Sequence, residues 1–263
     1  MTATAILSAL VAVLAIGLAV AGAHLARHYR ERRQRGLFGP WPILRVQPAA
    51  VHPAFVAGPL GPAPESEVRF LSGYETPGGV SDRETWILCV LAREARRIFE
   101  FGTGTGKTAY LLALNAPPDA EIYTLALPRD EIPEGVGGDA PEAIAAAADE
   151  SRNHAFYYEG TEVEPRIHQL LADSKAFDET PHADSFDLVF VDGAHARSFV
   201  ESDSVKALRM VRPGGYVLWH DYRGPKRARG VFEALNALAS DIELVHIAAT
   251  SLVLHRRPES NGP

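Results

Sequence analysis

Glu100-Phe101-Gly102-Thr103-Gly104-Thr105-Gly106, entered from Ile98-Phe99 and left into Tyr110-Leu111-Leu112, reads as a strand that turns through glycines into a helix. Glycine at alternate positions lets the backbone turn tightly and approach a ligand closely, while the helix that follows offers the free N–H groups of its first turn. This is the signature of a nucleotide site, and its spacing excludes two common kinds. A phosphate-binding loop needs Gly where Phe101 stands, ahead of Gly106-Lys107-Thr108, and a dinucleotide fingerprint needs its third Gly at Lys107. What remains is acid-x-Gly-x-Gly-x-Gly.

Outward from this turn, short apolar runs alternate with helical stretches. Strands are expected at Ile98–Phe101, Ile122–Leu127, Ile167–Leu171, Leu188–Val191 and Tyr216–Trp219, with helices near 107–114, 198–211 and 228–239. Such alternation implies a parallel sheet covered on both faces. Ile242–Ile247 and Ser251–Leu254 are joined by Ala248-Ala249-Thr250, too short for a helical crossover, so they should form an antiparallel pair. The expected fold class is α/β: a Rossmann-like, doubly wound, mostly parallel sheet with a C-terminal antiparallel strand, occupying residues 81–258. Ser81-Asp82 offers an N-cap for a first helix over Arg83–Arg96, and 129–152 reads as an inserted loop with a short helix. Residues 259–263 are expected to be a disordered tail.

The N-terminus has a different character. Ala3 to Ala23 is uncharged and apolar, about the 20 residues that cross a bilayer, and Arg27, Arg30, Arg32, Arg33 and Arg35 follow it. The reading is one N-terminal transmembrane helix over 1–25 that leaves the arginine side, and the domain, in the cytoplasm: a single-pass protein of the inner membrane. A cleaved signal peptide ending near Ala19-Val20-Ala21 is the competing reading, although the usual positively charged start is missing. Residues 26–80 form a basic juxtamembrane stretch and then a Pro-rich linker or lid, in which prolines at 40, 42, 48, 53, 59, 62, 64 and 77 forbid long helices and central strands. Five Arg against one Glu give residues 24–36 a charge of +4, so the overall −7 leaves −11 beyond them. An acidic domain repels nucleic-acid backbones, which excludes that class of partner; the arginines suit anionic lipid headgroups. The single Cys89, in an apolar run, excludes a disulfide framework and reads as a buried thiol.

In a doubly wound sheet, ligands bind beyond the carboxyl ends of the strands. Two further strand ends carry chemistry there: Phe190-Val191-Asp192-Gly193-Ala194-His195, and Leu218-Trp219-His220-Asp221-Tyr222 after the turn Arg212-Pro213-Gly214-Gly215. Together with Pro165-Arg166-Ile167-His168-Gln169-Leu170 leading to Ala172-Asp173-Ser174, these runs resemble class I S-adenosylmethionine (SAM)-dependent methyltransferases of the bacterial macrocin O-methyltransferase and cephalosporin-hydroxylase-like grouping, over about Arg83 to Arg257. The resemblance implies that Glu100, Gly102, Thr103, Gly104 and Gly106 line the methionine part of SAM, that Asp173 and Ser174 lie by its adenine, and that Asp192 and Asp221 can hold a divalent metal. Two aspartates at neighbouring strand ends suit a hard ion such as Mg²⁺, which would lower the pKa of an acceptor hydroxyl. His195 is a candidate base, with Asp192 beside it in the catalytic group, and His220 is either a third metal ligand or a satisfied core histidine. Tyr222 and Trp219 read as packing residues.

One position departs from the family pattern. Ala126 stands where an acid would accept the ribose hydroxyls, and a missing charge-assisted acceptor costs about 1.5–3 kcal/mol. The expected function is a membrane-anchored, metal-assisted O-methyltransferase acting on a small hydroxylated molecule or glycan precursor. The alternative, motivated by Ala126, is a degenerate methyltransferase fold serving as a membrane-tethered binding or scaffold module.

Overall fold

The computed structural model describes residues 3–34, 41–72, 79–129 and 155–259, with 131, 139, 141, 144, 145, 148 and 152 between the last two stretches. Most of the 129–152 insertion, including the short helix expected in it, and residues 260–263 of the expected tail lie outside the described residues.

The central strand is β4 (Arg97–Phe101), whose residues beyond Arg97 are buried. It lies parallel between β5 (Glu121–Ala126) and β7 (Phe186–Val191), and its Ile98 on one face and Phe99 and Phe101 on the other are buried, as a strand covered on both faces requires. Ile98, Leu188, Phe190 and Leu218 join one core, against α2 (Asp82–Ala92) and α3 (Lys107–Asn115). The alternate residues Phe99, Phe101, Val189, Val191, Val217 and Trp219 join the other, against α4 (Arg197–Met210) and α5 (Arg229–Leu238). The full sheet runs β1-β9-β10-β8-β7-β4-β5-β6, with β1 at Leu44–Val46, β6 at Ile167–Leu171, β8 at Val211–Trp219, β9 at Val245–Ile247 and β10 at Val253–Arg256. Only β10 is reversed, antiparallel to both β8 and β9, as the three-residue link predicted. α2 begins in a full capping box between Ser81 and Glu84.

The Pro-rich segment departs from an extended linker. Residues 41–72 fold onto the domain: β1 (Leu44–Val46) pairs parallel with β9 at the sheet edge, and Ile43 and Phe55 are buried. Short 3₁₀ turns begin at Pro48, Pro53 and Pro64, and a hairpin pairs β2 (Ala57–Gly58) with β3 (Gly61–Pro62). Proline excludes the segment from the sheet centre but suits the first position of such turns and the neighbourhood of an edge. Trp86 Nε1 donates to the Ser66 carbonyl at 2.8 Å and fastens the segment to α2.

α1 spans Ala3–Gln34. Its described apolar side chains, among them Leu14, Leu18 and Val20, are exposed. Among the described residues no helix is long and apolar enough to cross a membrane. The transmembrane span expected over 1–25 is thus not among the described helices; the side chains of residues 3–10 and 13 lie outside the description, and those remaining before His24 fall short of the about 20 that a span needs.

Candidate active site

From β4 the chain winds outward through β5 and β6, then returns to the other side of β4 with β7 and β8. The strand order reverses between β4 and β7, and the crevice beyond their carboxyl ends is where this architecture binds ligands. Asp192 N–H donates to the Phe101 carbonyl at 2.9 Å across that crevice. Gly102, at φ +95°, passes so close that a Cβ there would lie 2.2 Å from the Asp192 carbonyl oxygen. The first glycine of the run is therefore needed for strand-to-strand approach. Gly106, at φ +74°, opens α3 and packs under Phe156 and Tyr158, which a Cβ would meet at 2.9 and 2.8 Å.

Glu100 is sealed beneath this loop. Thr124 Oγ1 donates to its Oε2 at 2.6 Å, Thr103 and Thr124 share a 2.8 Å hydroxyl contact, and Gln169 Nε2 donates to Thr103 Oγ1 at 3.1 Å. Burial, with a smaller contribution from the Asp192 charge, pushes the Glu100 carboxyl up to about 8 despite the Thr124 hydrogen bond. It is a neutral acid at pH 7 until a cation approaches.

At the ends of β7 and β8, Asp192, His195 and Asp221 each present a ligand atom, all within 4.8 Å of one another. His195 Nε2 lies 2.5 Å from Asp221 Oδ2, and Arg223 Nε lies 2.6 Å from the buried Oδ1. Asp221 adopts φ +62°, a conformation that costs a side-chain-bearing residue about 1–2 kcal/mol and recurs at functional sites. Burial works against its charge, but His220, His195 and Arg223 hold its carboxyl below the ordinary range; Asp192, more dominated by burial, is shifted upward. Two carboxylates and an imidazole whose ligand atoms lie together form a donor set that fits a hard divalent cation.

His220 does not belong to that set. Its Nδ1 faces Asp192 Oδ1 at 2.8 Å, and its Nε2 faces Glu84 Oε2 at 3.3 Å. Burial would lower its pKa, yet Asp192, Asp221 and Glu84 raise it well above the ordinary imidazole value. An imidazolium donating from both nitrogens has no lone pair for a metal, so the expectation of His220 as a ligand is corrected: it is an internal cation that orients Asp192. Glu84, which sequence reasoning did not connect to the site, also receives Ser81 N–H and Oγ–H at 2.9 and 2.6 Å and Ser251 N–H and Oγ–H at 2.5 and 2.8 Å. Its only sequence signal was the capping-box spacing from Ser81.

Asp173 and Ser174 follow β6 on the far side of the glycine loop. Asp173 Oδ1 accepts from Lys175 N–H at 2.8 Å, which closes a tight turn, and both residues are half-buried. Ala126 ends β5 beside them, its carbonyl accepting from Ala172 N–H at 3.0 Å. Tyr222 and Trp219 are fully buried: the Tyr222 hydroxyl donates to Asn236 Oδ1 at 2.6 Å, and Trp219 Nε1 donates to Ser204 Oγ at 2.8 Å.

A glycine loop at the switch point of a doubly wound sheet, with acids on the neighbouring strand ends, defines the class I SAM-dependent methyltransferase architecture. Residues 99–222, from within β4 to just past β8, match the family described as a methyltransferase domain. Over those residues the chain is similar to methyltransferases. Among solved structures, the O-methyltransferase NovP superposes with a TM-score of 0.54 at 14% identity, over 68% of this chain and 81% of that one. A methyltransferase of Podospora anserina bound to S-adenosylhomocysteine (SAH) gives 0.50 at 18%, over 71% and 83%. The O-methyltransferase TomG of Streptomyces achromogenes, in complex with SAM, gives 0.49 at 22%, over 70% and 83%. At these identities the likeness is one of fold. No curated protein matches the chain in sequence.

Proposed function

We propose that the protein methylates a hydroxyl oxygen of a small molecule or glycan precursor, and that the His195–Asp221 pair takes up the proton. The observation that carries this reading is the 2.5 Å contact between His195 Nε2 and Asp221 Oδ2 at the mouth of the glycine-loop crevice. With Nε2–H donated to Asp221, the imidazole keeps its basic lone pair on Nδ1, and the carboxylate stabilises the imidazolium that forms. The acceptor oxygen attacks the methyl carbon, the carbon–sulfur bond breaks with its electrons returning to sulfur, and the hydroxyl proton passes to His195. Glu100, below the glycines, would face the methionine ammonium, as the resemblance implies.

A divalent cation such as Mg²⁺ would be held by Asp192 and Asp221, with His195 in reach, and would supply positive charge that lowers the pKa of the acceptor hydroxyl. The test is transfer of labelled methyl from SAM to a panel of phenols, catechols and sugars, with and without chelator. Loss in both His195→Ala and Asp221→Asn supports the pair as base. Equal rates in parent and variants would overturn it.

The uncharged stretch from Ala3 to Ala23 and the arginines after it support attachment to the cytoplasmic face of the inner membrane. Flotation of the full chain with vesicles containing anionic lipid tests this attachment; recovery in the soluble fraction with and without vesicles would contradict it.

A further inference from the structure

Glu84 sits three residues into the capping box of α2, a role that asks its side chain to accept one N–H, that of Ser81. A carboxylate can do this at the surface, in water, yet here the residue is 3% exposed. Burying a carboxylate is costly unless its oxygens are met by donors, and a cap alone does not require it to turn inward. The donors it meets inside account for the burial.

Two paths lead from Glu84 to the ends of β7 and β8. Along the first, Oε2 faces His220 Nε2 at 3.3 Å, and the other ring nitrogen, Nδ1, lies 2.8 Å from Asp192 Oδ1 and 3.3 Å from Asp221 Oδ1. Along the second, Oε1 accepts from Ser251 N–H at 2.5 Å and from Ser251 Oγ–H at 2.8 Å. That hydroxyl, its one hydrogen given to Glu84, accepts from Asp221 N–H at 3.3 Å. The Ser251 carbonyl accepts the next N–H, that of Tyr222, at 3.0 Å. The chain is therefore gripped where Asp221 adopts φ +62°, a backbone state that persists only when its surroundings impose it. One carboxylate, anchored to the start of α2 by Ser81, thus reaches the side chain of Asp192 and the backbone of Asp221.

We infer that Glu84 is a positioning residue for both aspartates: through His220 and Ser251 it sets their separation, and with it the fit of the site to a small divalent cation over a larger one. The inference rests on the reading of Asp192 and Asp221 as cation ligands and deepens it.

The experiment titrates the full chain with Mn²⁺, the free ion being read by electron paramagnetic resonance, and then lets Mg²⁺ and Ca²⁺ compete. Mg²⁺ demands near-ideal octahedral geometry, whereas Ca²⁺ accepts a variable number of ligands at longer distances, so a loosened site should lose Mg²⁺ first. Glu84→Gln keeps the shape of the side chain but puts an amide donor in place of one oxygen, and one path loses its acceptor. Mg²⁺ should then bind about ten- to a hundredfold more weakly, and Ca²⁺ no more than about threefold. Ser251→Ala removes the hydroxyl path without altering any charge; it should weaken Mg²⁺ about tenfold and Ca²⁺ no more than about twofold, and it carries the test should Glu84→Gln not fold. Equal loss of the two ions in both variants would mean that Glu84 acts through charge or stability alone. Unchanged affinities in folded variants would leave it a helix cap; either result overturns the inference. A parent that binds no Mn²⁺ would sink the cation reading itself and the inference with it, a result set apart because it needs no variant.

Discussion

Gly102 and Asp192 stand back to back at the switch point: a Cβ on Gly102 would lie 2.2 Å from the Asp192 carbonyl oxygen and 2.8 Å from the Gly193 Cα. Backbone on both sides leaves nothing flexible to yield. Gly102→Ala should therefore force β4 and β7 apart and destabilise the fold by more than about 3 kcal/mol, combining a backbone clash with a positive φ. Gly104, at φ +51°, has nothing within 4 Å of its would-be Cβ, so Gly104→Ala should cost only about 1–2 kcal/mol of backbone strain. Denaturant unfolding of both variants checks the order; equal losses would contradict it.

Glu100 provides a pH dependence of known sign. Its carboxyl is raised from 4.5 to about 8 in the folded chain, so the folded state holds a proton that the unfolded state has released. The contribution to stability is complete below about pH 4.5 and declines as pH rises through about 8. Glu100→Gln should flatten the stability curve between those limits while preserving the Thr124 hydrogen bond. A parent whose unfolding midpoint does not fall across that window, or a variant whose midpoint falls just as steeply, would refute the assignment.

Ala126 ends β5 where an acid would meet the ribose. Ala126→Asp adds a charged acceptor at a half-buried strand end, and SAM affinity should rise by about ten- to a hundredfold. A parent that binds nothing while the variant binds SAM would mean that the cofactor site has decayed within an intact fold. No gain in the variant would show that the ribose is held elsewhere.

His195 and Asp221 should act as a unit. Once an acceptor is in hand, His195→Ala should lower the rate of methyl transfer by about 10²–10⁴-fold, the usual worth of a positioned base, with little change in SAM affinity. With chelator present in both assays, adding Asp221→Asn to that variant should cost little more. A double variant that loses the product of the two single effects would show that the residues work independently.

The sheet was legible because its strands are short, mostly apolar and separated by helical periods. The glycine loop was legible because its φ angles admit few other residues. Ile98 and Phe99 could be assigned to a strand on sight, and the facing of one toward α2 and the other toward α4 follows from strand alternation. The folding of residues 41–72 was hidden because prolines report only what a segment cannot be; nothing in Leu44-Arg45-Val46 announces its pairing with β9. His220 was ambiguous for a related reason. Its role is set by Glu84, 136 positions away in sequence, and no local spacing reports a carboxylate delivered by another helix.

The most direct test of the central claim is calorimetric titration of the full chain with SAM. The account predicts one site per chain with an affinity of about micromolar strength, weakened by Ala126 but not abolished, and competed by SAH. A folded, cooperatively melting protein that gives no binding heat with SAM or SAH at any temperature tried would contradict it.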